Sequence, residues 1–145
     1  MLFFKRQPDV GVLLLRLFVS VRLLYGVLDN IMSWNRMLEF RDFLQLFHFP
    51  MPLVSAMVSV YAQAIAAVLI GVGWKIRWAA VLMIVNFTIA VVVVHRDQSF
   101  EQMTPPLALL FSSVLFLFTG AGRFSADREP LNMLTGPGSE SYKSA

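Results

Sequence analysis

Cysteine is absent from this chain of 145 residues. That excludes disulfides, thiolate metal sites and thiol redox chemistry by the chain alone, and it leaves the compartment open. Histidine is scarce: His48 and His95 lie in different segments, and two such residues do not make a metal site by spacing alone. Charge is scarce as well. Charged residues make up 14% of the chain, against about a quarter of a soluble domain. No Walker loop, dinucleotide fingerprint or hydrolase elbow is found, and the glycines near position 72 read as a helix stop. A secretory signal peptide fits poorly, because Arg16 and Arg22 interrupt the first apolar run and no A-x-A-like site follows it. The formal charge of +3 does not imply nucleic acid, since the basic residues sit at helix ends and form no patch.

What the chain has is long apolar stretches. Val10 to Ile31, Pro52 to Val72, Trp78 to Val94 and Pro105 to Thr119 approach the roughly 17–25 residues that span a bilayer core as a helix, the last being the shortest. With short connections between them, most of the chain would have to be core in a soluble protein. The expected solvent is lipid. The expected architecture is all-α, a four-helix transmembrane bundle over residues 1–127 with a loose cytoplasmic tail over 128–145, rich in Gly, Pro, Ser and charge.

Between the first two spans, Met32 to Phe49 is amphipathic. Trp34, Met37, Leu38, Phe40, Phe43, Leu44 and Phe47 alternate with charged and amide residues at near-helical spacing. It is too charged to span, and an interfacial helix is expected. In the second span Ser55, Ser59, Ala62 and Ala66 share one face, where small side chains let helices approach closely. Pro105 and Pro106 are expected in the first turn of the fourth helix. Lys5, Arg6, Lys75, Arg77, Arg123, Arg128 and Lys143 fall on one side of this topology. The positive-inside rule then puts both termini in the cytoplasm.

The candidate functional residues are the polar groups inside or beside the spans: Arg16, Arg22, Asp29, Gln63, Asn86 and His95. A charge at the bilayer centre costs roughly 2.5–3.5 kcal/mol on insertion scales, so such groups usually face the bundle interior and pair. Arg22 and Asp29 are seven residues apart on one helical face. Arg22 is the deepest, and Asp29 or Gln63 are its expected interior partners. Arg16 points about 120° away from Arg22 at 100° per residue, and its reading stays open between snorkelling to the near interface and an internal role. Asp29 lies near the far end, within reach of water. Gln63 and Asn86 are expected to hydrogen-bond between helices, and His95 to hydrogen-bond at an interface.

Leu14-Leu15-Arg16-Leu17 followed by Tyr25-Gly26, the Gly71-Val72-Gly73 to Arg77 connection, His95 to Phe100, and the run Thr119 to Asp127 together resemble the DoxX family of small integral membrane proteins. The last run is the most specific. It is similar to the Gly-x-Gly-(Arg/Lys)-aromatic-Ser-x-Asp sequence with which the family closes its fourth helix. The resemblance implies a four-helix membrane bundle, in agreement with the hydropathy count. It also implies a place beside the bacterial inner-membrane redox complexes that handle quinones, thiosulfate or thiols. The chain departs from the family where Asp29 replaces a frequent lysine and Gln63 a frequent glutamate. Three functions follow as expectations. One is a subunit of a membrane redox assembly, in contact with quinone or partner subunits. The second is a carrier or channel for a small solute or proton, which would need a homo-oligomer. The third is a structural scaffold. No cofactor ligand set is evident, and quinone is the candidate ligand.

Overall fold

The computed structural model describes residues 8–94, 96, 98–122 and 124–126. Among the described residues the secondary structure is entirely helical: α1 (Pro8–Met32), α2 (Trp34–Leu46), α3 (Pro52–Val72), α4 (Ile76–Ile89) and α5 (Phe100–Thr119). Four of these are long and apolar enough to cross a membrane, with α4 counted together with the π-helical turn Ala90–Val94 that extends it. The most apolar windows of the spans bury only 28%, 28%, 28% and 11% of their residues within the protein. Phe18, Tyr25, Val58, Trp78, Phe111 and Phe118 all stand on the outer surface. A water-soluble protein does not display that much contiguous apolar area. The outer surface faces lipid, and the chain is a multi-pass membrane protein.

Helix ends follow local chemistry. Pro8 and Asp9 open α1, where proline lacks a hydrogen that would have no partner and the carboxylate faces the positive end of the helix dipole. Pro52 opens α3 for the same reason. Gly73, at φ 77°, closes α3 in the left-handed region that glycine enters without strain. The fourth span starts earlier than its prolines suggest. It begins at Phe100 behind Ser99, so Pro105 and Pro106 lie inside it. Their missing amide hydrogens leave the Glu101 and Gln102 carbonyls without helical partners, and both residues are exposed at the helix end. The third span also starts earlier, at Ile76 and not Trp78.

In space α1 packs on α3, α3 on α4 and α4 on α5, and the contact between α5 and α1 is the thinnest. The main core joins Val19 and Leu23 of α1, Ala67 and Ile70 of α3, Ala80 and Met83 of α4 and Phe116 of α5. Ala66 and Ala67 of α3 and Ala79 and Ala80 of α4 are fully buried, and small side chains let helix backbones approach closely; of the expected small-residue face Ala66 is fully buried, while Ser55, Ser59 and Ala62 are half-buried. The amphipathic segment is a helix. α2 sinks Met37 and Leu44 onto Val27, Ala56 and Val60, capping one end of the bundle. Its charges stay outside, with Arg36 bonded to Glu39 at 2.8 Å and Arg41 to Asp42. Phe43 is exposed and meets the half-buried Phe47 edge-on at 5.1 Å between centroids. The tail over 128–145 lies outside the described residues.

Because the chain has no cysteine, single cysteines in α2 report accessibility cleanly. Met37→Cys and Leu44→Cys should resist a membrane-impermeant maleimide, while Glu39→Cys, Asp42→Cys and Leu46→Cys should label. Uniform labelling would mean that α2 does not dock on the bundle.

Candidate functional site

The six candidate residues separate into distinct places. Arg16 is buried, with 1% of its surface exposed. Its side chain does not snorkel. Nε donates to the Ile70 carbonyl at 2.9 Å and Nη2 to the Gly71 carbonyl at 3.1 Å. Nη1 donates to the carbonyls of Ala121 and Phe124, both at 2.8 Å. Every one of these acceptors belongs to the main chain.

The end of α3 explains why. The last four carbonyls of a helix have no helical donor and must be satisfied otherwise. Leu69 receives the amides of Gly73 at 2.8 Å and Trp74 at 3.0 Å. Ile70 and Gly71 receive Arg16, and Val72 receives the Ala126 amide at 3.4 Å. The accounting closes with a charged side chain from a different span. That charge also sits at the negative end of the α3 dipole, where a cation is favoured. Gly73 is required twice over. Its backbone is left-handed, and a Cβ there would overlap the Arg16 guanidinium. One turn deeper, Ser20 Oγ donates to the Ala67 carbonyl at 2.7 Å, and a Cβ on Gly71 would come within 2.7 Å of that hydroxyl.

The segment after α5 completes the clamp. Gly120 and Gly122 have φ of 67° and 69°, turning the chain so that the Ala121 and Phe124 carbonyls face Arg16. Gly122 lies over Asp9 and Val12 in the first turns of α1, and Gly120 lies beside Arg77. The start of α1, the α3–α4 turn and the segment after α5 therefore share one end of the molecule. Lys75 stacks its ammonium over Trp74 in that turn, at 5.3 Å from the ring centroid.

A second polar group sits at mid-depth between α3 and α4. Gln63 Nε2 donates to Ser59 Oγ at 3.1 Å, and Ser59 Oγ donates to Asn86 Oδ1 at 2.8 Å. Ala62 is the middle residue of α3, so this network lies near the centre of the span. All three residues are half-buried. Among the described residues nothing pairs with the Asn86 Nδ2 hydrogens or with Gln63 Oε1. Just beyond Asn86 the helix widens into the π-helical turn, whose Val91 to Val94 are all β-branched. An amide nitrogen and an amide oxygen are left over in this network among the described residues. By chemistry alone these residues could hold a quinone headgroup, since a quinone carbonyl accepts from an amide and a quinol hydroxyl donates to one.

Arg22 is not in the interior. It is exposed on the outer face of α1 with Phe18, Tyr25 and Asp29. Among the described residues it has neither a hydrogen bond nor an ion pair. The interior pairing expected of it with Asp29 or Gln63 does not form, because the buried stripe of α1 runs through Arg16, Val19, Ser20, Leu23 and Val27 instead. Asp29 is exposed near the far end of α1. Its charge reaches Arg36 on α2, whose pKa stands above the ordinary arginine value, first through the hydrogen bond to Glu39 and only lastly through Asp29. His95 lies outside the described residues. Among the described residues no bond joins Arg22 or Asp29 to the Gln63–Asn86 network.

Sequence reasoning missed Ser59 as the bridge and Gly73 as the space that Arg16 fills. Arg16 shares a helical stripe with Ser20, Leu23 and Val27, but Arg22 shares one with Gly26 and Asp29, so spacing alone does not choose between them.

Stranding a buried carbonyl costs about 1–3 kcal/mol, and Arg16 serves several. Arg16→Gln should destabilise the protein by on the order of 3 kcal/mol or more, read as thermal unfolding in detergent. Arg16→Lys should rescue only part, because an ammonium cannot reproduce the planar fork. Gly73→Ala should be clearly destabilising, while Gly11→Ala, with open space around it, should be neutral or better. Equal effects of the two glycine substitutions would contradict the clamp.

No curated protein and no solved structure matches the chain. A family model does: that of DoxX, over residues 11–96. The match contains Arg16, its two acceptors on α3, Gly73 and the whole Gln63–Ser59–Asn86 network, and it ends before the Thr119–Asp127 run. With more than half of its length matched, and with four membrane-spanning helices, the chain belongs to the DoxX family.

Proposed function

We propose that the protein is a subunit of a quinone- or thiol-linked redox assembly in a bacterial inner membrane, and that it binds a quinone headgroup at the Gln63–Ser59–Asn86 network. The single observation that supports this reading is the state of that network. It lies at the depth of the acyl chains, it is half-buried, and among the described residues its Asn86 amide nitrogen and Gln63 amide oxygen have no partner. Amides in membrane spans hydrogen-bond across helices. Here the ends are left over. Asn86 Nδ2 donates to a quinone carbonyl, and Gln63 Oε1 accepts from a quinol hydroxyl. Ser59 fixes both amides by accepting from one and donating to the other. The chain's part is to hold and orient the headgroup, and electron transfer belongs to a partner subunit.

The orientation goes with this reading. The end that gathers the start of α1, Lys75, Arg77 and the segment after α5 faces the cytoplasm. A reporter fused to the C-terminus should be active in the form that requires cytoplasmic folding. Activity of the periplasmic form would overturn the orientation.

The binding test uses the purified protein and a photoreactive short-chain ubiquinone analogue. Wild-type protein should be labelled, with label on α3 or α4, and decylubiquinone should compete. Asn86→Leu and Gln63→Leu should each weaken competition by roughly tenfold, in line with the loss of one good hydrogen bond at about 1.4 kcal/mol per decade. Unchanged labelling in both variants would refute the quinone site.

A further inference from the structure

Arg22 sets a problem that the protomer does not solve. The contacts of α1 with α3 fix its depth. Arg16 meets Gly71, and Ser20 meets Ala67, so the residue numbers of facing positions sum to 87. Arg22 is then level with Ile65, three residues from Ala62 at the middle of α3. The side chain does not turn back toward the near interface. Its Nη1 lies 3.6 Å from where a Gly26 Cβ would be, one turn further on, which carries the guanidinium to the level of the bundle centre. Lipid phosphates are about 15 Å away at that depth, half of a hydrocarbon core about 30 Å thick. Among the described residues no carboxylate, carbonyl or hydroxyl bonds to it.

The surface around it is built for a close neighbour. Arg22, Gly26 and Asp29 follow one another at spacings of four and three and are all exposed. Gly26 is a glycine in the interior of a helix, and it offers a notch where another helix backbone can approach. Tyr25, 78% exposed, flanks the notch with an aromatic side chain.

We infer that this outer stripe of α1 docks a transmembrane helix of a different polypeptide, one that carries an Asp or Glu at the depth of Arg22. This deepens the reading of the protein as a subunit and rests on it, but not on the quinone site. Charge selects the occupant. A mid-membrane guanidinium needs an anion, and buried ionisable groups in spans pair with one another. A second copy does not fit. Among the described residues its carboxylates, Asp9, Asp29, Glu39, Asp42 and Glu101, lie toward helix ends or outside the spans, so a copy inserted in the same orientation brings none to the depth of Arg22. Headgroups do not reach. A partner helix with a carboxylate at matching depth meets the charge, and Gly26 lets it come close enough to do so.

The test places the full chain in phosphatidylcholine vesicles, with a donor dye on Leu46→Cys, the only cysteine. The acceptor is on a single-span poly-leucine peptide, flanked by lysines and carrying Glu at its centre. A matched peptide carries Gln. The Glu peptide should associate with the chain at least tenfold more tightly than the Gln peptide. Arg22→Gln should remove the preference, and Arg22→Lys should keep most of it. Asp29→Asn should leave it unchanged. Because Arg22 makes no bond among the described residues, Arg22→Gln should unfold at the wild-type temperature. Equal binding of the two peptides, or a preference that survives Arg22→Gln, would overturn the proposal. So would Arg22-dependent energy transfer between two copies of the chain, which would identify a homo-oligomer. Loss of the preference on adding phosphatidylglycerol would assign Arg22 to anionic lipid and would also overturn it. The quinone measurement reads Asn86 and Gln63 and does not depend on Arg22, so failure of one leaves the other standing.

Discussion

The unsatisfied carbonyls at the end of a helix are the constraint on which the rest of this bundle depends. At the end of α3 the backbone is covered by α1 and by the segment after α5, and its last carbonyls find donors within the protein. At the end of α3 the chain solves this with one side chain from α1. The fork of Arg16 takes the Ile70 and Gly71 carbonyls and at the same time those of Ala121 and Phe124 beyond α5. It therefore joins the first, second and fourth spans at one point. Direct packing between α1 and α5 is sparse, so the clamp closes the ring that side-chain packing leaves loose. Gly73, Gly120 and Gly122 follow from it. They supply the positive φ values and the empty space that bring four carbonyls around one guanidinium.

The same residue type, six positions on, has the opposite fate. Arg16 faces inward and has four acceptors; Arg22 faces outward and has none among the described residues. A difference of about 120° around the helix decides between them. The polar groups of the chain thus divide by task. Arg16 and Ser20 hold α1 to the end of α3. Ser59, Gln63 and Asn86 join α3 to α4 and leave two polar atoms over. Arg22 stands on the outer face, without a partner among the described residues.

Most of the fold was legible in the sequence, because lipid imposes length and apolarity on every span and both can be counted. The amphipathic helix was legible for the same reason, since Met37 and Leu44 fall on its apolar stripe. The start of the fourth span was misread because Pro105 and Pro106 look like a first turn, whereas exposed carbonyls at a helix end tolerate them deeper in. The site was half legible. Gln63 and Asn86 stood out as amides in apolar runs, but their bridge, Ser59, read only as a small residue. Arg16 and Arg22 were ranked by depth, when the deciding quantity was direction. In a helix apolar on every side, periodicity does not mark an inner face. The acceptors of Arg16 are main-chain atoms, which no side-chain pattern displays.

The most direct measurement is of the clamp itself, in a bilayer. Solid-state NMR on protein with 15N in the arginine guanidinium and 13C in the alanine and isoleucine carbonyls reads the dipolar couplings between them. The account predicts a rigid Arg16 side chain whose Nη1 and Nε are coupled to the Ala121 and Ile70 carbonyls, as the N–O separations of 2.8 and 2.9 Å require. A mobile guanidinium without those couplings, and with contacts to lipid phosphate in their place, would contradict it.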